Sequence, residues 1–299
     1  MSQQDYIDIE ALIKSKNPRL LKWLPRFVLA FLKRKLHQDE INAFIKSKGH
    51  LKDHDFCEAI IDYFQIKIEV QGLEHIPANG GVILALNHPL GGMDGVALIH
   101  ALRKTRPDVA LIVNDLLLNI TQLSNLFVGI NKFGRNHGGV RQNIRSAFQK
   151  EQAVIIFPAG MVTRIHYGQI VEPEWKKTFV TYARELNRPI VPIYIEGRLS
   201  KTFYRVNRWR KRLGIKANVE MFLLADEMYK QKNGQISFVI GQPLTPQDIP
   251  ANLDDYTAAN WVKNHVYSLK SSHEKTHQPY WYRCSSARIE PRALFAQHP

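Results

Sequence analysis

Short apolar runs alternate with helix-periodic stretches through the middle of the chain. Strand candidates fall at 66–70, 82–86, 109–113, 154–157, 190–195, 219–224 and 236–240. Helical patterns lie between several of them, at 94–103, 140–150 and 174–186. That alternation predicts an α/β fold with a mostly parallel central sheet flanked by helices. Residues 8–65 read as mostly helical, so the chain divides into an N-terminal helical module (1–65), an α/β domain (66–270) and a tail (271–299). The last helix is expected at 254–269, after which the periodicity fades. There is no internal repeat, heptad array or low-complexity segment.

The stretch from Leu84 to Ala101 organises the rest. The apolar run 81–86 ends in a glycine-rich turn, Asn87-His88-Pro89-Leu90-Gly91-Gly92-Met93-Asp94, and helix periodicity resumes at Val96, Ala97 and Ile99. This strand–loop–helix unit puts an imidazole and a carboxylate at the carboxyl end of a strand, where open α/β sheets bind ligands. An imidazole titrates near neutrality, and a carboxylate on one ring nitrogen fixes its tautomer. Such a pair can take a proton from an alcohol as the alcohol attacks a carbonyl. The same residues would also serve as a turn-capping His and a helix-capping Asp. On these residues alone both readings stand.

Charge changes the picture more than composition does. The 299 residues are 44% hydrophobic, enough for a sizeable core, but the net charge is +14 and the isoelectric point near 9.7. Such a balance attracts polyanions: phosphoryl ligands, an anionic membrane or nucleic acid. Cys57 and Cys284 offer neither a disulfide framework nor metal-ligand spacing, as expected in a reducing compartment. The polar, acidic amino terminus argues against a signal peptide, and no uncharged apolar run is long enough to cross a bilayer. A cytoplasmic protein, at most peripheral to the inner face of the cell membrane, is the expectation. Serine-hydrolase, P-loop and zinc-protease signatures are missing.

The positive charge is clustered. Residues 11–38 hold eight Lys/Arg and no acid, with Trp23, Leu24, Phe27, Val28, Phe31 and Leu32 at helical spacing. Pro25 suits a first turn, so 25–37 is the expected helical span. A basic helix with an aromatic apolar face suits a membrane interface, or packs that face on its own domain. Residues 198–216 carry eight Lys/Arg, no acid, and Phe203, Tyr204 and Trp209. This basic and aromatic mixture suits anionic lipid, the phosphates of a carrier cofactor, or a nucleic acid. No specific nucleic-acid motif accompanies it, so no nucleic-acid partner is expected.

Two further stretches bear on chemistry. The turn Phe157-Pro158-Ala159-Gly160 follows its strand as the His88 turn follows its own, and neighbouring parallel strands would bring both to one sheet edge. Arg135 and Arg164 sit on loops beside strand ends, where a guanidinium fork suits phosphate or carboxylate.

Taken together, Asn87–Gly95, Gly129–Arg135, Phe157–Gly160 and Ile190-Val191-Pro192-Ile193 resemble the ordered blocks of the PlsC-like lysophospholipid acyltransferase superfamily, over about residues 65–245. The resemblance implies O-acyl transfer from acyl-CoA or acyl-carrier protein to the hydroxyl of a lysolipid at a membrane surface. It implies no metal and no cofactor. His88 would be the base, Asp94 its orienting partner, and backbone N–H groups of the motif loops the oxyanion donors. Arg135, Phe157, Pro158, Gly160 and Arg164 would line the substrate site. Two departures stand out: five residues separate His88 from Asp94 where the family has four, and Ala159 replaces the family's glutamate. Both look like the hemolysin-like and lyso-ornithine-lipid acyltransferase branch, which implies an amino-acid-containing lipid as acceptor. The rival readings are a catalytically silent lipid-binding member and, on charge alone, a nucleic-acid-binding protein.

Overall fold

A computed structural model describes residues 7–16, 18–114, 117–130, 137–166, 169–215 and 218–274. The N-terminal part is helical: α1 (Ile9–Lys16), α2 (Pro18–Trp23), α3 (Arg26–Lys35), α4 (Gln38–Lys48) and α5 (Asp53–Phe64). Then follow β1 (Lys67–Gln71), β2 (Val82–Leu86), α6 (Gly92–Leu102), β3 (Val109–Asn114), β4 (Phe127–Ile130), α7 (His137–Gln149) and β5 (Ala153–Ile156). The chain continues through β6 (Arg164–His166), β7 (Gln169–Val171), α8 (Thr178–Leu186), β8 (Ile190–Ile195), α9 (Lys201–Arg212), α10 (Leu224–Tyr229), β9 (Gln235–Ile240) and α11 (Asp255–Glu274).

The main sheet runs in the order β1-β9-β8-β2-β5-β3-β4. Every neighbouring pair is parallel except β8–β9, so the mostly parallel α/β sheet read from the pattern is the observed architecture. β2 reads Val-Ile-Leu-Ala-Leu and is buried throughout because it lies mid-sheet with helices on both faces. Its residues alternate between two cores. Leu84 and Leu86 share one core with Phe56 and Phe64 of α5 and Met93 and Leu98 of α6. Ile83 and Ala85 share the other with Phe148 of α7, Phe179 of α8 and Val262 of α11. Thus α5, on the amino-terminal side of the boundary drawn at residue 65, packs into the same core as the sheet.

β2 and β5 pair in parallel with Ala85 opposite Ile156, so the loops that follow them leave the same edge side by side. β8 flanks β2 on the other side, with Leu86 opposite Ile193.

Several elements differ from the pattern-based reading. Residues 219–224 are not a strand but a 3-10 turn, Val219–Leu223, running into α10. A short apolar run fits either geometry, and here Glu220 turns inward to Arg164, Asn207 and Arg210 while Leu223 and Leu224 pack on Val162 and Phe203. β4 and the small β6–β7 hairpin have no counterpart among the expected strands, each being too short to show a period. α8 begins at Thr178 rather than 174, because the Glu172–Trp175 segment is held by side-chain bonds of its own. α11 runs to Glu274, four residues into the expected tail; 275–299 lie outside the described residues.

Candidate active site

Asn87 starts the site by ending β2. Its Nδ2 donates to the Ile195 carbonyl at 2.8 Å, and its Oδ1 accepts from the Ile195 amide at 2.7 Å. One side chain thereby replaces a backbone rung against β8, and the main chain is released to turn at His88.

The turn closes on Asp94. Its Oδ2 accepts from His88 Nδ1 at 2.9 Å, from the Leu90 amide at 3.0 Å and from the Gly91 amide at 3.1 Å. Asp94 stands in the first turn of α6 and reaches back to the amide that precedes the helix, a capping arrangement. The longer spacing is absorbed at Gly91, whose φ of 81° and ψ of −138° an L side chain rarely adopts. The structural cap and the imidazole partner are therefore the same carboxylate. Asp94 is 0% exposed; burial pushes its carboxyl above the usual range, against the opposing pull of His88 and the two amides.

His88 keeps 18% of its side chain exposed. Its ring stacks on Phe157, with centroids 4.2 Å apart and planes 27° from parallel. Its carbonyl accepts from the Thr163 amide at 3.3 Å, and its own amide donates to Glu172 Oε1 at 2.8 Å. With Nδ1 on Asp94, Nε2 is the ring nitrogen left for proton transfer.

The second loop closes with the Gly160 amide on the Phe157 carbonyl at 2.9 Å, Gly160 having φ 63°. Pro158 and Ala159 are buried, and Ala159 sits in the core with Trp175 and Phe179. The glutamate's position is thus filled by a core methyl.

Of the residues singled out, His88, Asp94, Phe157, Pro158 and Gly160 come together at one sheet edge. Arg135 lies outside the described residues. Arg164 turns inward: its Nε lies 3.3 Å from the wholly buried Glu220, its Nη1 donates to the Val162 and Thr163 carbonyls, and its guanidinium covers the Phe203 ring. It braces β6 against α9 and the 219–223 turn instead of facing an open anion site. The oxyanion expectation is also narrowed, since the amides of 88, 90, 91 and 160 are all engaged within the loops.

Glu172, which no motif marks, also joins this loop. It is 8% exposed; its Oε2 accepts from Trp175 Nε1 at 2.7 Å and from the Tyr267 hydroxyl at 3.2 Å, while Oε1 holds His88. It lies 84 positions from His88, and a lone acid in a loop carries no pattern to announce it.

A mostly parallel α/β sheet with an imidazole–carboxylate pair at its edge suits acyl transfer, and comparison with known proteins gives the same class. The model of the family described as "Acyltransferase" matches residues 11–276. The chain belongs to this acyltransferase family. Two curated relatives, each named "Lyso-glycine lipid O-acyltransferase", are similar along most of its length. The protein from Phocaeicola vulgatus is 41% identical over 264 residues, covering 88% of this chain and 95% of its own. That from Bacteroides thetaiotaomicron is 38% identical, covering 88% and 97%. Among solved structures, the 1-acyl-sn-glycerophosphate acyltransferase PlsC from Thermotoga maritima aligns with a TM-score of 0.49 and 15% identity, over 87% of this chain and 99% of that one.

Proposed function

We propose that this enzyme moves a fatty acyl group from a thioester, acyl-CoA or acyl-carrier protein, to the hydroxyl of a lyso-glycine lipid. The relatives' shared name supports that acceptor, and the expectation of an amino-acid-containing lipid agrees with it. The observation that carries the mechanism is the 2.9 Å contact between His88 Nδ1 and a buried Asp94.

In this reading His88 Nε2 takes the proton of the acceptor hydroxyl as its oxygen attacks the thioester carbonyl. The carboxylate of Asp94 orients the ring and stabilises the imidazolium. Collapse of the tetrahedral intermediate breaks the C–S bond, and the imidazolium returns its proton to the departing thiolate. The new bond is an oxygen ester. No resident metal or cofactor takes part. Phe157, Pro158 and Gly160 shape the wall beside the imidazole, with Arg135 the arginine for anionic substrate groups.

The membrane reading gains support from exposure. α3 buries none of its residues, and Trp23 and Phe27 are 86% and 76% exposed beside Arg26, Lys33 and Arg34. On α9, Trp209 is exposed among Arg205, Arg208 and Arg212. No described helix is long and apolar enough to cross a membrane. Aromatic side chains ringed by cations suit the interface of an anionic leaflet, so the enzyme sits peripherally on the inner face of the cell membrane.

The test is direct. Purified protein, a lyso-glycine lipid and a labelled acyl thioester should yield the labelled diacyl product. Comparison with lysophosphatidate checks the acceptor: equal or faster turnover of lysophosphatidate would contradict the assignment.

A further inference from the structure

Three side chains anchor the loop that carries His88. Asn87 ties its start to β8, Asp94 gathers the amides of 90 and 91, and Glu172 holds the amide of His88 itself. The first two fix the ends of the loop. Of these three only Glu172 takes the amide of the residue that carries the imidazole; the carbonyl of that residue accepts from the Thr163 amide at 3.3 Å. We propose that Glu172 is a positioning residue for His88, an ionised carboxylate that locks this peptide and so sets the aim of Nε2. The inference rests on the reading of His88 as the base.

The donors around Glu172 define its state. Trp175 Nε1–H and Tyr267 O–H converge on Oε2, leaving Oε1 to the His88 amide. A carboxylate accepts from every side, whereas a carboxamide has a donor end. Charge is balanced without crowding those lone pairs. Lys263 Nζ donates to the backbone carbonyls of Glu172 at 3.2 Å and Pro173 at 3.1 Å, so a cation stands nearby but takes neither side-chain oxygen. Tyr267 and Lys263 both come from α11, so α11 supports the base's loop through this one acid. Burial raises the Glu172 carboxyl, opposed by its donors and by Lys263. A charge held against burial behind a reactive group is what alignment requires, because a misplacement of about 1 Å can cost roughly 100-fold in rate.

Glu172→Gln keeps the shape but sets its NH2 against either the His88 N–H or the Trp175 N–H, whichever way the amide turns. Turnover (kcat) should fall at least ~10-fold while KM for the lipid stays within about twofold. Trp175→Phe removes one of the two donors. In that background the amide can point its oxygen at His88, and Glu172→Gln should lower kcat by no more than about threefold relative to Trp175→Phe alone. A kcat for Glu172→Gln within twofold of the parent would overturn the proposal, as would an equal loss in both backgrounds. If Glu172→Gln does not fold, hydrogen exchange on the unaltered enzyme decides. The His88 amide should exchange at least ~100-fold more slowly than an unstructured amide, and near-unstructured exchange would overturn the assignment. His88→Ala run alongside separates the two claims: retained turnover there defeats the base reading itself, whatever Glu172 does.

Discussion

Arg164 Nε lies 3.3 Å from Glu220 Oε1, and both side chains are buried. A guanidinium beside a strand end suggests an anion site, but this one is matched by a carboxylate 56 positions later in the chain. Removing it leaves Glu220 with Arg210 and Asn207 as partners. Arg164→Met should therefore destabilise the fold by about 3 kcal/mol, the low end for breaking a buried ion pair. Urea unfolding reads this. Unchanged stability with a large rise in lipid KM would return Arg164 to the substrate site.

Gly91 carries the extra residue between His88 and Asp94. Its backbone, φ 81° and ψ −138°, costs a side-chain-bearing residue about 1–3 kcal/mol. The space is not the obstacle, since an added Cβ would meet Leu224 and Val162 only at ordinary contact distance, 3.5 and 3.7 Å. Gly91→Ala should lower the melting temperature and reduce kcat together, because relief of the strain moves Asp94's amide partners. Loss of stability with full turnover would show that the loop tolerates the shift.

Asp94 makes a pH prediction with a definite sign. Burial raises its carboxyl above the ordinary 3.8. Between 3.8 and that raised value the native state holds a proton that the unfolded chain has released, so this group's contribution to stability falls as pH rises through the window. Asp94→Asn removes the titration. The stability of the unaltered enzyme minus that of the variant, followed by thermal unfolding from acid toward neutrality, should decline with pH. An increase would mean that the His88 contact outweighs burial and holds the carboxyl low.

The aromatic face at Trp23, Phe27 and Phe31 is exposed on the described structure, so its loss should not disturb the core. Trp23→Ala with Phe27→Ala should leave folding stability within about 1 kcal/mol of the parent. Binding to anionic vesicles, measured by co-sedimentation, should fall about 10-fold or more. A large loss of stability with unchanged vesicle binding would mean that the face packs within the protein.

What was legible in the chain follows from how each signal is encoded. β2 and β8 matched their expected bounds, 82–86 and 190–195, because strands buried on both faces are continuous apolar runs bracketed by polar turns. The contact of His88 with Asp94, and the placing of the Phe157–Gly160 turn on the same sheet edge, could be anticipated because the two residues are close in sequence and both loops follow recognisable strands. Pairings over long separations left no local trace. Arg164 could not be told from a solvated arginine without Glu220, and Glu172 could not be tied to His88 before the fold joined them. The apolar residues of 219–224 looked like a strand because the buried acid among them reads as an interruption; here it is the anchor.

The central claim is that His88 moves the proton. Single-turnover acyl transfer from a labelled thioester to a lyso-glycine lipid, with His88→Gln against the parent at equal enzyme and vesicle concentration, addresses it most directly. The account predicts a rate lower by about 1000-fold or more with donor and acceptor binding retained. A rate within tenfold of the parent would contradict it.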